Sequence, residues 1–174
     1  MLSSMRKFIK KLIGKPQIVY AHCDVPCGIY DPHQAQIAAL TVIRMIDLIH
    51  DHAKAIEAGD HKGEGELELR NNLIRAVAVK EEHAEMCKKE IRIIWGDYFK
   101  DEYLKKYPEL NDLTHKIMQL GSKARQTVDR KVAADLLAAV NRFAEIFWES
   151  KSIATKRVKA PYKPEEEVVY PVLG

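Results

Sequence analysis

The chain has 174 residues, enough for one domain with a real core, and its 47% hydrophobic and 30% charged residues match an ordinary globular protein. No run approaches the roughly eighteen apolar residues of a membrane-crossing helix, which excludes a spanning segment. The net charge is +3, but Arg6, Lys7, Lys10, Lys11 and Lys15 precede residue 22 with no acid among them. Subtracting their five charges leaves a body at −2, which removes the main support for a nucleic-acid or membrane binder.

Residues 1–21 read as a segment to be removed. The start is basic, but the apolar residues are scattered as Phe8-Ile9, Leu12-Ile13 and Ile18-Val19-Tyr20. A secretory signal needs an unbroken apolar stretch of about 7–15 residues, so export is not expected and a cytoplasmic setting is. Residues 5–13 have the pattern of a short basic amphipathic helix, stopped at Lys15-Pro16. The plain reading is a disordered tail; the functional one is a propeptide, cut between Ala21 and His22 by a processing peptidase.

The residues just after the cut carry the chemistry. Residues 22–30 read His22-Cys23-Asp24-Val25-Pro26-Cys27-Gly28-Ile29-Tyr30. Two thiols stand four apart, an imidazole adjoins the first, and cleavage gives His22 a free amine. The amine, the Cys23 backbone nitrogen and the Cys23 and Cys27 sulfurs form four in-plane donors suited to square-planar Ni(II). The His22 imidazole remains for the axial position. Thiolates donate strongly and bring a Ni(III)/Ni(II) couple within reach of superoxide. Pro26 restricts the loop between the sulfurs and is a candidate for a cis bond, which periodicity does not test. Gly28 permits a positive φ, Asp24 accepts backbone N–H bonds in the turn, and Tyr30 sets a hydroxyl over the axial face. Singly, each is an ordinary turn former or packed aromatic. Three cysteines are too few for a disulfide framework, and thiolate ligands call for a reducing compartment. A Cys23–Cys27 disulfide, or two idle thiols, stays open on spacing alone.

The body, residues 31–151, predicts an all-α, up-down four-helix bundle. After Asp31-Pro32, a seam runs Ala39, Val42, Ile46, Ile49, Ala53, Ile56, until Gly59 and Gly63 to Gly65 break it. A second runs Leu73, Val77, Lys80, Ala84, Cys87, Ile91, Ile94, Tyr98, with Lys80 its one polar interruption. Residues 99–108 read as the one longer linker. A third seam runs Leu110, Leu113, Ile117, Leu120, Ala124, and a fourth Val132, Leu136, Ala139, Phe143, Ile146. Residues 152–174 read as an extended C-terminal tail, either loose or an arm for a neighbouring subunit, with the arm favoured.

His22-Cys-Asp-x-Pro-Cys-Gly-x-Tyr30 resembles the nickel hook of the nickel-containing superoxide dismutases. The body is similar as well, at Asp31-Pro32, Val79-Lys80-Glu81-Glu82, Ala84-Glu85, Trp95 to Lys100, Tyr107 to Leu110 and Ile146 to Glu149. The resemblance implies a precursor processed before the histidine, a four-helix bundle, a homohexamer, a nickel ion and superoxide as substrate. It implies metal ligands His22, Cys23 and Cys27, and a tyrosine gate matching Tyr30 and Tyr98. In that family a glutamate on the first helix and an arginine on the second buttress the axial imidazole; the matching positions hold Ala38 and His83. His83 is the candidate replacement. His83 and Cys87 are also four apart, a spacing able to hold metal, although a core thiol beside a rim histidine is the commoner case. Lys88 and Lys100 are candidates for steering the anion, against a plain solubility role. Two rivals remain: a non-catalytic carrier of nickel or another transition metal, and a helical interaction protein with a Cys23–Cys27 thiol switch.

Overall fold

The computed structural model describes residues 27–59 and 61–173. The body opens at Asp31, whose carboxylate accepts the His33 N–H at 2.8 Å. Pro32, at φ −73°, already stands in helical geometry, and helix α1 runs His33–Ala58. Helix α2 covers Glu64–Ile93. Its end widens into a π-helical turn, Ile94–Tyr98, where the Phe99 N–H reaches back to the Ile94 carbonyl at 3.3 Å. A short helix α3, Asp101–Lys106, occupies most of the stretch that reads as a linker in the sequence. Helix α4 spans Leu110–Gln126 and α5 Arg130–Ser150. Asp129 caps α5 by accepting the N–H groups of Lys131 at 2.8 Å and Val132 at 3.3 Å.

The long helices pack in the ring α1–α2–α4–α5 and back to α1, the predicted four-helix bundle. The seams are its core: Ala39, Val42, Ile46, Ala84, Cys87, Ile91, Leu110, Ile117, Leu136, Phe143 and Ile146 are all buried. Gly121 lets α4 close onto α2, because a Cβ there would lie 2.7 Å from Lys88 Cγ.

Lys80 is only 2% exposed. Its ammonium donates to the carbonyls of Ala124 at 2.8 Å, Arg125 at 2.6 Å and Thr127 at 2.8 Å. The carbonyls at a helix end have no intrahelical donor, and a cation there also faces the negative pole of the helix. The polar interruption of the second seam is therefore the C-terminal cap of α4. Burial pushes the ammonium below its usual range, and Glu81 opposes the shift.

The described part of the C-terminal segment, residues 152–173, folds back as a hairpin rather than running on as a loose tail or an arm reaching away. Strands β1, Thr155–Lys159, and β2, Glu167–Pro171, pair antiparallel with Thr155 opposite Pro171 and Lys159 opposite Glu167. The hairpin folds onto its own bundle because Val168 and Val169 bury completely there. Two polar core residues satisfy its backbone: Gln36 Nε2 donates to the Val169 carbonyl at 3.2 Å, and Asn141 Nδ2 to the Glu167 carbonyl at 2.8 Å. Gln36 Nε2 also donates to Asn141 Oδ1 at 2.9 Å, linking α1 to α5 beneath the strand. Among the described residues, no helix is long and apolar enough to cross a membrane.

Candidate metal centre

Of the sequence-derived hook, His22, Cys23, Asp24 and Pro26 lie outside the described residues, and Cys27, Gly28 and Tyr30 lie within them. Cys27 is at the surface. Gly28 has φ +68°, the left-handed conformation anticipated for it, and a side chain there would be strained. Ile29 is 75% exposed and Tyr30 half-buried, so the chain turns inward over these residues before Asp31 fixes it to α1.

Tyr30 and Tyr98, the two gate candidates separated by 68 positions, come together with ring centroids 5.8 Å apart and planes inclined at 52°. The π-helical turn re-aims Tyr98 at the end of α2, since one extra residue in the turn rotates the backbone beyond it. Tyr98 then sits in an aromatic cluster, 4.9 Å from Phe147, 5.0 Å from Phe99 and 5.5 Å from Tyr103. Its hydroxyl lies 2.7 Å from Ser150 Oγ, and the Lys151 ammonium stands 4.7 Å over its ring. Tyr103, Ser150 and Lys151 escape a reading based on motifs. Tyr103 lies within the apparent linker, and the other two are at the last turn of α5. Only the bundle's closure brings them to Tyr98.

A cleft of about 120 Å³ opens beside Tyr30, walled by Ile29, Asp31, Gln34, Glu90, Ile93 and Ile94. Neither of the two positions matched to axial support contributes to it. Ala38 is 1% exposed in the core, and the Nδ1 of His83 is engaged 2.9 Å from the Val79 carbonyl of its own helix, leaving Nε2. Besides Asp31, the cleft's polar walls are Gln34, one turn before Ala38 on α1, and Glu90, two turns after His83 on α2. Helical spacing points to both, because each lies on the same face as the matched position on its helix.

The His83–Cys87 pair is a core thiol beside a partly buried histidine. Cys87 is fully buried, and burial, helped by the charge of Glu90, pushes its thiol up to about 12. Lys88 is not available for steering: its ammonium is 3.2 Å from Glu85 Oε2 and 3.1 Å from Ser122 Oγ, with its side chain 13% exposed. Lys100 is exposed at the start of α3. Lys151, rather than Lys88 or Lys100, is the cation that stands over a gate candidate, Tyr98.

Comparison with known proteins agrees with this geometry. The family profile described as nickel-containing superoxide dismutase matches residues 17–151. The nickel superoxide dismutase of Streptomyces coelicolor is 32% identical over 143 residues, covering 82% of this chain and 98% of that protein. The enzyme from Streptomyces seoulensis matches with the same identity and coverage. A native nickel superoxide dismutase structure superposes with a TM-score of 0.60 at 32% identity, covering 75% of this chain and 99% of its own. Another, with ligation corresponding to the oxidized state, gives 0.59 at 34% identity over 75% and 99%. With the profile ending at residue 151, the bundle and the segment before it lie inside the match and the β-hairpin outside it. A match over most of the chain, at this identity and with a superposable bundle, leaves one conclusion: the chain belongs to the nickel-containing superoxide dismutase family.

Proposed function

We infer that this chain is a superoxide dismutase that works at a nickel hook formed by its own processed N-terminus. Family membership carries the activity and the metal. In our assignment the groups that would hold the metal are the His22 amine and imidazole, the Cys23 backbone nitrogen and the Cys23 and Cys27 thiolates. The donor set fits the metal, because soft sulfurs with two nitrogens suit square-planar nickel, and Cys27 stands at the surface at the hook's base. Nickel held there would supply the one-electron couple that joins superoxide to its two products, dioxygen and hydrogen peroxide.

The protein's own tasks are to admit a small anion, exclude larger reductants and hold protons close. The single observation that carries the site assignment is Tyr30 and Tyr98 at 5.8 Å, beside the turn that bears Cys27. Tyr30 and Tyr98 form the gate in our reading, with Asp24 holding the turn and Pro26 and Gly28 shaping it. The Tyr98 hydroxyl is anchored on Ser150, and the Lys151 cation adds positive potential where an anion approaches. His83, through Nε2, remains our candidate for support of the axial imidazole, now alongside Glu90 and Gln34 in the cleft wall.

We further propose cleavage between Ala21 and His22 by a processing peptidase, a homohexameric assembly, and a cytoplasmic setting whose thiol pool keeps Cys23 and Cys27 reduced. Exposed apolar residues such as Ile29, Leu67 and Ile74 support assembly. The metal-carrier alternative gains nothing from the relatives, which are named as dismutases.

The test compares nickel-reconstituted chains beginning at Met1 and at His22, by superoxide consumption and low-temperature EPR. Activity with a rhombic Ni(III) signal in the His22 form alone is the expected result. Bound metal with neither signal nor activity in either form would refute the hook assignment and favour the carrier.

A further inference from the structure

Ser150 has one hydroxyl proton, and the Phe147 carbonyl 2.6 Å away takes it. Across the 2.7 Å contact with Tyr98, Ser150 Oγ is therefore the acceptor and Tyr98 the donor. The Tyr98 proton points at α5, and its oxygen keeps lone pairs for a donor arriving from another side. Tyr103 is placed to be that donor. Its ring stacks on Tyr98 with centroids 5.5 Å apart and planes within 19°. Helix α3 holds it there: the Tyr103 N–H donates to the Lys100 carbonyl at 2.8 Å, and Phe99 meets the Tyr103 ring edge-on at 5.8 Å.

We propose that Tyr103 is a third tyrosine of the gate, a positioning residue that stacks on Tyr98 and donates to its hydroxyl. The result is a directional chain, Tyr103 O–H to Tyr98 O–H to Ser150 O–H to the Phe147 carbonyl. This proposal rests on the gate reading of Tyr98 above. The chain fixes the Tyr98 ring between Tyr30 on one side and Tyr103 on the other, and it links the partly buried Ser150 hydroxyl to the half-buried Tyr103 phenol. The titratable and charged groups facing this cluster are Tyr30 from the hook base, Tyr103 and Glu102 from α3, and Lys151 from the end of α5. Hydrogen bonding with the Tyr98 hydroxyl holds the Tyr103 phenol above its usual range, with burial and Glu102 adding and Lys151 opposing. The donor thus keeps its proton through the neutral and mildly alkaline range.

The experiment follows the Tyr103 hydroxyl proton by NMR in the metal-free full chain, in the parent and in Tyr98→Phe, which keeps the ring and removes only the acceptor oxygen. Loss of one neutral hydrogen bond accelerates solvent exchange of that proton about tenfold, with a fall of only about 2–4 °C in melting temperature. Ser150→Ala, at the other end of the chain, accelerates exchange of the Tyr98 proton instead. In the nickel-loaded enzyme, Tyr103→Phe lowers superoxide turnover several-fold and moves the alkaline limb of its pH profile. Unchanged Tyr103 exchange in Tyr98→Phe overturns the proposal. Faster exchange with an unmoved pH profile keeps the hydrogen-bond chain and overturns the gate role of Tyr98 instead.

Discussion

Lys80→Met replaces a buried ammonium with an apolar side chain of similar length, and its cost comes from the three carbonyls left behind. The bond to the Ala124 carbonyl is buried, whereas those to Arg125 and Thr127 are partly buried. A buried carbonyl stripped of its donor costs about 1–3 kcal/mol. Water reaches the outer two, so each loses roughly 0.5–1 kcal/mol. Methionine spares the desolvation of a cation, which offsets part of the loss. The balance is a destabilisation of about 2–3 kcal/mol. At about 2–4 °C per kcal/mol for a chain of this size, the melting temperature drops by about 4–12 °C. Thermal unfolding monitored by circular dichroism measures the drop. Amide exchange places it: protection falls first at Thr127 and Val128, where α4 loses its cap. A melting temperature within about 2 °C of the parent, or protection lost evenly over the bundle, would refute the capping argument.

Three further outcomes rest on the same geometry. With its thiol at about 12, Cys87 is thiolate in only about one molecule in ten thousand at pH 8, so iodoacetamide modifies Cys27 in the native chain and spares Cys87. Peptide mapping reads this, and equal labelling of both sites contradicts the burial. Asp129→Ala removes the acceptor for two N–H groups at the start of α5 and costs about 1 kcal/mol, seen as a fall of about 2–4 °C in melting temperature. Ending the chain at Lys151 strips Val168 and Val169 from the bundle and the strand carbonyls from Gln36 and Asn141. Part of that loss is recovered as chain entropy, leaving about 3 kcal/mol. Denaturant titration checks it, and an unchanged midpoint would mean the hairpin only rests on the bundle.

The four seams are legible because each long helix carries its apolar residues at steps of three and four, and the same residues fill the core. The hook's turn is legible at Gly28, where only one residue type is comfortable at positive φ. The C-terminal hairpin is not legible, because five-residue strands with Pro161, Pro164 and two glutamates between them give no periodicity long enough to weigh. Its position is fixed by the Gln36–Asn141 pair, whose members lie 105 positions apart. The site divides in the same way. Cys27 and Tyr30 belong to a contiguous motif and can be read from it. Tyr98 requires family likeness, since nothing in a heptad pattern announces a π-helical turn. Tyr103, Ser150 and Lys151 carry no motif, and their relation to Tyr98 exists only once α3 and the end of α5 are in place.

The hairpin brings β2 back beside the start of α1. Tyr170 of β2 lies with its ring 5.5 Å from that of His33, the first residue of α1, a few positions after the hook. A fusion after β2 therefore begins near the start of α1, a few residues after the segment that we assign to the metal. A polyhistidine tag there tethers a nickel-binding peptide next to the enzyme's own ligands, where it competes for the ion and confounds any measurement of metal content. On the proposed processing, a tag ahead of Met1 leaves with the propeptide. The turn around Gly59 to Gly63 is the better place for a label, since the 26 residues of α1 carry the chain about 39 Å from the site.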